Sequence, residues 1–499
     1  MNTAVPLKSL KAQPLRLPDR RDAFYGGAWH APKSGRRVDT INPGTGESLG
    51  NVADCGAEDI DAAVAAAKKA FDGWRNTPPL ERGWLLKRVA NVVREHADEL
   101  AMIDAADCGN PVAEMVMDAT VAAGLIDFYA GLVTEVKGAS IPMGPGSVNF
   151  SVREPRGVVG RIFPFNHPFM FCAGKAAAPL ATGNTVVMKP PEQAPLSSLR
   201  LAELIGEILP PGVFNVVPGG REAGNALTTH KDVAAIALIG SVPTGRAVMK
   251  AAADTLKPVM LELGGKNALI AYPDADPDDV AGGVVGGMNF TWCGQSCGST
   301  SRAFVHEKIY DAVLERVKAK IAHFKPGIAT DRSTTMGSII SKTQYERILG
   351  FIESGKQEGA RLFHGGGKPS DPALAKGFFI EPTVFADVQP NMRIAREEIF
   401  GPVLSIFKWK DEAKMLEEVN SVEYGLTASI WTNDLSTAHR TASAVQAGFV
   451  WINEVSRHFL GAPFGGYKQS GIGREECFEE MLSYTQEKNI HVKLKPPKV

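Results

Sequence analysis

From residue 156 onward, short apolar runs rich in β-branched residues recur between segments of helical rhythm. The runs Val158–Phe163, Thr185–Met188, Val213–Val217 and Ala234–Ile239 alternate with stretches such as Leu196–Ile208. Strands this apolar and separated by helices predict a parallel sheet covered on both faces. Ala268–Tyr272, Arg302–Val305, Val403–Phe407, Ala428–Trp431 and Phe449–Ile452 repeat the scheme and predict a second α/β lobe after about residue 264. Upstream, Ile60, Val64, Ala67, Phe71 and Trp74 recur at steps of four and three, the stripe of an amphipathic helix. Helical style continues from about Leu80 to Met102. A chain of 499 residues has room for two or three such lobes at roughly 150 residues each.

Two segments depart from this rhythm. Val148, Phe150 and Val152 alternate with polar residues, as do Ile490, Val492 and Leu494. Strict alternation marks strands with one wet face, either an intersubunit arm or an ordinary edge hairpin. Formal charge is 54 − 55 = −1, so no global field recruits nucleic acid or an acidic membrane. The six cysteines, Cys55, Cys108, Cys172, Cys293, Cys297 and Cys477, are too sparse for a disulfide framework and point to a reducing, cytoplasmic setting. Only Cys293 and Cys297 are close in sequence, and no neighbouring ligand completes a metal site. No apolar run reaches the roughly 18 residues of a membrane span. The basic start, with Lys8, Lys11, Arg16, Arg20 and Arg21, lacks the apolar stretch of a secretory signal and reads as a flexible tail over residues 1–20, with an Arg-bearing organelle presequence as the alternative.

Five patterns carry chemistry, each with a plain structural alternative, which for the last three is a strand-to-helix turn, a strand end leading into a turn, and a buried small cysteine. Asn166, in Phe163-Pro164-Phe165-Asn166-His167-Pro168, stands at the carboxyl end of a strand, where open α/β sheets place ligand groups. Its amide suits a developing oxyanion; a turn asparagine between prolines is the alternative. Lys189 and Glu192 end the next strand, where a lysine and a carboxylate clamp ribose hydroxyls and the carboxylate disfavours the extra phosphate of NADP; a solvated turn is the alternative. Gly240-Ser241 follows a strand and opens a helix, the place for a pyrophosphate, although no GxGxxG fingerprint is present. Glu262, flanked by leucines and followed by Gly264-Gly265, has the apolar setting that suits a general base. Cys297 lies between small residues in Gly294-Gln295-Ser296-Cys297-Gly298, accessible as a nucleophile requires. Cys293 reads as a small buried hydrophobe, with oxidation against Cys297 as the alternative.

In this order, and with Glu397-Glu398-Ile399-Phe400-Gly401-Pro402 and Pro463-Phe464-Gly465-Gly466-Tyr467-Lys468 downstream, the chain resembles the aldehyde dehydrogenase superfamily from about residue 25 to its end. The resemblance implies an α/β fold with a Rossmann-like parallel-sheet cofactor domain (21–132 and 155–264), an α/β catalytic domain (265–470) and a small antiparallel oligomerisation arm (133–154 and 480–499). It implies Cys297 as nucleophile, Glu262 as general base, and Asn166 with the Cys297 N–H as oxyanion holders. Lys175 and Glu475 match proton-relay positions. Phe165, Lys189, Glu192, Gly240, Ser241, Glu398 and Phe400 would contact NAD, with NADP left open; no metal is implied. Phe165 stands where the family motif usually has tryptophan.

The implied activity is oxidation of an aldehyde to its acid through a cysteine thiohemiacetal and a thioester that Glu262-activated water hydrolyses. Partners are a small aldehyde and copies of this chain, as a dimer or tetramer. By the same resemblance His167, Phe171, Gly174, Trp292, Ser296, Arg457, His458, Phe459 and Phe464 would line the substrate pocket. Gly174 replaces an aromatic residue of several members, which predicts a roomier pocket there. Arg457 and His458 predict a semialdehyde or other polar aldehyde, since arginine suits carboxylate recognition; an uncharged aromatic or aliphatic aldehyde is the alternative. A cysteine hydrolase lacks a recognisable histidine partner here, and a silent homologue would not need Cys297, Glu262 and Asn166 together.

Overall fold

The computed structural model describes residues 14–495. Residues 1–13 of the expected tail and 496–499 of the expected arm lie outside the described residues. The apolar runs form two separate sheets. The first holds five parallel strands in the spatial order Val259–Leu263, Val233–Gly240, Val158–Ile162, Thr185–Lys189, Phe214–Val216. An antiparallel strand, Ala23–Tyr25, extends it beyond Phe214–Val216, and Gly471–Ile472 closes the opposite edge. Every residue of Thr185–Lys189 is buried, as expected of a strand covered on both faces.

The chain starts the parallel part of this sheet at its centre with Val158–Ile162, moves outward through two strands, then returns to the other side with Val233–Gly240. The carboxyl ends of those two neighbours therefore diverge into separate loops and leave a crevice between them. In the second sheet Thr383–Ala386, Val403–Trp409, Arg302–His306, Ala268–Ala271, Thr427–Trp431 and Phe449–Ile452 are parallel in that order, with Arg361–His364 antiparallel at one edge. Each sheet has apolar clusters on its two faces.

The helical stripe forms the helix Ala57–Asn76, burying Ile60, Val64, Ala67 and Trp74; the Trp74 indole donates to Leu180 O at 3.1 Å. The segment read as continuous helix from Leu80 instead breaks at His96 into Pro79–Glu95 and Ala97–Cys108. His96 leaves helical geometry (ψ 17°), and its Nδ1 lies 2.8 Å from Glu99 in the first turn of the new helix. The two alternating segments pair with each other, Ser147–Pro155 against Thr485–Lys493, with Val148 opposite Val492 and Phe150 opposite Ile490. A short strand, Ser140–Ile141, completes this third sheet. Among the described residues no helix is long and apolar enough to cross a membrane.

Candidate functional site

The crevice at the switch between Val158–Ile162 and Val233–Gly240 holds about 620 Å³. Phe165 and Asn166 reach it from the first strand, Gly240 and Ser241 from the second, and Glu262 from the strand beside it. The second sheet supplies the opposite wall through Cys297, Glu398 and Phe400. Ser241 is the N-cap of the helix Val242–Ala253, its hydroxyl accepting from Thr244 N, so the positive end of that helix opens onto the crevice. Phe165 packs edge-on against Phe400, with ring centroids 5.9 Å apart.

Backbone contacts hold the reacting groups. Asn110 donates to the main-chain oxygen of Asn166 at 2.7 Å, while the Asn166 Nδ2 has no partner among the described residues and remains accessible. Asn267 donates to the carbonyls of Cys297 (2.7 Å) and Ser299 (3.0 Å), fixing the loop that carries the thiol. That loop approaches only because residue 265 is glycine: a Cβ there would stand 2.8 Å from the Cys297 carbonyl. Gly264 does the same for Glu398, whose carboxylate occupies the space of a Cβ and accepts from Gly265 N at 2.9 Å. Gln344 and Arg347 clamp the segment further by donating to the carbonyls of residues 398–400.

Burial pushes the Glu262 carboxyl up to about 8, and the nearby Glu475 carboxylate adds to the effect. Glu262 Oε1 has no hydrogen-bond partner among the described residues. The Cys297 thiol is also raised well above its ordinary value, by burial and then by the facing Glu262. Glu262 can therefore take a proton near neutrality, and the thiol needs such a base to become a thiolate. Glu475 itself is held below the usual carboxylate range, the Lys175 ammonium at 2.9 Å and Arg161 at 3.0 Å outweighing its burial. Lys175 also reaches Glu476 at 3.4 Å.

Other expected residues fall elsewhere. Glu192 lines a neighbouring cavity of about 780 Å³ beside Gly219 and Gly220. Lys189 donates to the carbonyls of Pro190 and Gly219, and its burial lowers the ammonium to about 8. The roomier pocket expected at Gly174 is not found: a Cβ there would meet Leu125 at 2.9 Å, so the helix Val112–Gly131 already fills that space. Arg457 does not enter the crevice. Its side chain is 57% exposed, 3.8 Å from Glu454 and stacked over Phe459, which is itself exposed. His458 pairs with Glu476 at 2.9 Å and packs against the buried Phe464. Ser296 faces a narrow cleft with Gly265, Met288 and Glu398. His167, Phe171 and Trp292 do come together, with His167 edge-on to both rings. Cys293 is fully buried in the core of the second lobe and is a free thiol.

Asn110, Asn267, Gln344 and Arg347 were not singled out from sequence; each acts through carbonyls distant along the chain. Among the described residues no group of three or more metal-ligating side chains occurs.

The family model described as "Aldehyde dehydrogenase family" matches residues 29–490. The chain is 52% identical over 486 residues to aldehyde dehydrogenase tropH of Talaromyces stipitatus, covering 96% of this chain and 94% of that one. It is 42% identical to a betaine aldehyde dehydrogenase of Brucella melitensis, covering 97% and 99%. The solved NAD⁺ complex of an aldehyde dehydrogenase from Bacillus cereus superimposes with a TM-score of 0.93 at 40% identity, covering 96% and 98%.

Proposed function

The chain belongs to the aldehyde dehydrogenase family, and we propose that it oxidises a polar aldehyde to the carboxylic acid with NAD as electron acceptor. The observation that carries this reading is the meeting of Cys297, Glu262 and Asn166 in one crevice with Gly240, Ser241 and Glu398. The crevice fits a dinucleotide: a helix N-terminus opens onto it, and Glu398 is seated on Gly264-Gly265 at its far wall, where a ribose carries hydroxyls to bind. Glu192 beside Gly220 supports NAD over NADP, since its carboxylate would repel a second ribose phosphate. When bound, NAD supplies the hydride acceptor.

The protein's own groups do the rest. Glu262 takes the Cys297 proton, and the thiolate attacks the aldehyde carbon. The accessible Asn166 amide donates to the oxygen that becomes negative in the tetrahedral thiohemiacetal; such a donor is worth about 3–4 kcal/mol. Oxidation leaves a thioester on Cys297; Glu262, having released the thiol's proton toward Lys175 and Glu475, then accepts a proton from the water that hydrolyses it. Lys175 and Glu475 carry that proton away, as their ion pair behind Glu262 suggests.

An aldehyde panel assayed with NAD and with NADP tests this reading. Aldehyde-dependent NADH formation with the acid as product is expected, whereas ester or peptide hydrolysis with no nucleotide requirement would instead support a cysteine hydrolase. Two further results are expected. Gly264→Ala forces Glu398 out of place and should raise the KM for NAD about tenfold or more, equivalent to ~1.4 kcal/mol. The semialdehyde reading loses the carboxylate clamp it relied on, because an exposed, paired arginine contributes under ~1 kcal/mol. Arg457→Ala should therefore change kcat/KM for a semialdehyde and for an uncharged aldehyde of equal length by the same factor.

The residues 21–132 with 155–264 form the cofactor domain in this reading, and 265–470 the catalytic domain. The Ser147–Pro155 and Thr485–Lys493 sheet is proposed as the arm of a homo-oligomer; light scattering after chromatography should give the mass of a dimer or tetramer.

A further inference from the structure

Glu475 and Glu476 are consecutive, and both reach the ammonium of Lys175 on the helix Pro168–Ala181. Lys175 Nζ lies 2.9 Å from Glu475 Oε2 and 3.4 Å from Glu476 Oε1. The other oxygen of Glu476, Oε2, is 2.9 Å from His458 Nδ1. Exposure rises along this line, from 3% of the Lys175 side chain to 14% of Glu476 and 40% of His458. Polar contacts therefore run from Glu475, whose charge is felt by Glu262, to an imidazole at the surface.

The backbone holds this arrangement against a cost. Glu476 takes a left-handed conformation, φ 65°, which glycine adopts freely and glutamate rarely. Its N–H donates to Glu480 Oε2 at 2.8 Å and its carbonyl accepts from Gly461 N at 2.8 Å, which pins the turn on both sides. Backbone outliers of this kind gather where a side chain serves a site. The charged groups around Glu476 are Lys175, His458 and, on its own segment, Glu475 and Glu480. Against its burial, the Lys175 ammonium and then His458 hold the Glu476 carboxyl down to about 2, so it stays ionised and able to accept a proton. Glu480 offers no second way out. It is fully buried, burial raises its carboxyl, and Tyr129, which donates to it, is buried as well.

We propose that Glu476 and His458 form the exit by which protons from the reacting centre reach solvent. The inference rests on the reading of Lys175 and Glu475 as carriers of the Glu262 proton; it adds the two residues beyond them. Each turnover brings Glu262 two protons, one from the Cys297 thiol and one from the hydrolytic water. The first must leave before the second can be taken. As Glu475 gives a proton to Lys175 Nζ, the ammonium gives one of its own to Glu476 Oε1 and keeps its charge. The Glu476 carboxyl then gives a proton to the imidazole, and the imidazolium releases one to water or to a buffer base. Glu476 ends ionised and the ring neutral, with only N–H and O–H bonds made and broken. Imidazole is the side chain that shuttles protons near neutrality.

The test follows the first turnover with NAD and the aldehyde that the wild type oxidises fastest, in weakly buffered solution. NADH is read by its absorbance and protons by a pH indicator, in the wild type, His458→Phe and Glu476→Gln. The phenylalanine keeps a ring against Phe449 and Phe464, and the glutamine keeps the shape of Glu476. Wild-type protons should appear in step with NADH. In each variant they should lag NADH by about tenfold or more, with dinucleotide affinity intact. Free imidazole should close the lag in His458→Phe, with saturation, but not in Glu476→Gln, where the break lies inside the protein. Protons in step with NADH in both variants, including an equal slowing of the two, overturn the proposal. A lag in His458→Phe that imidazole leaves unchanged also overturns it. Absence of turnover on every aldehyde would overturn the enzymatic reading itself, a separate outcome.

Discussion

Cys297→Ala is expected to abolish aldehyde-dependent NADH formation, a loss of about 10⁴- to 10⁶-fold in kcat, as removal of a covalent nucleophile does elsewhere. Dinucleotide binding should survive, because Gly240, Ser241 and Glu398 meet the crevice from other segments than the Cys297 loop. The loop itself should hold its course: Asn267 grips the backbone carbonyls of Cys297 and Ser299, and the side chain at 297 takes no part in that grip. Titration of the alanine variant with NAD by fluorescence, beside a turnover assay, checks both halves. Cys293→Ala, by contrast, removes a buried core atom that does not line the crevice and should cost stability with turnover largely kept.

The second large effect concerns Glu262. In Glu262→Gln the thioester should form more slowly, because Cys297 also loses the base that takes its proton, but its hydrolysis should fall further, about 10²- to 10⁴-fold, and become limiting, the usual contribution of a positioned general base. A burst of NADH close to one equivalent per active site, followed by a nearly silent steady state, is the expected trace. The sign of the pH dependence follows from the burial of this carboxyl. Its pKa is raised to about 8, so the ionised base becomes more abundant as pH rises through that value. The Cys297 thiol is raised as well, so acylation also gains from alkali. Steady-state kcat of the wild type should therefore climb from pH 6 toward pH 9. In the glutamine variant the slow steady state should lose the limb centred near pH 8. A steady state in Glu262→Gln equal to that of the wild type would remove Glu262 from hydrolysis.

The strands and the crevice were legible because their signals are local. Val233–Gly240 is a continuous apolar run and Val158–Ile162 is one but for Arg161, and Asn166 and Ser241 follow them within a few residues. The alternation at 148–152 and 490–494 marked two strands, but not that they pair with each other, nor that Val148 and Val492 stay exposed while Asn149 and Ser151 are buried. What escaped depends on packing between distant segments. Asn110 lies 56 residues before the carbonyl it holds, and Asn267 lies 30 before Cys297. Nothing in the neighbourhood of either residue announces those partners. The space beside Gly174 is decided by Leu125 on another helix, so a missing side chain did not become an open pocket. Arg457 misled for a related reason: charge is written in sequence, but exposure and the pairing with Glu454 are not. The contact of Lys175 with Glu476 spans 301 residues and became visible only in three dimensions.

The most direct measurement is the mass of the acyl group trapped on the protein. Glu262→Gln mixed with NAD and an aldehyde, quenched in acid during the silent phase and digested, should yield a peptide containing Cys297 heavier by the acyl residue of that aldehyde. The adduct should require NAD and vanish with hydroxylamine, which cleaves thioesters. An adduct on Cys293 or any other residue, or steady NADH production with no adduct on Cys297, contradicts the account.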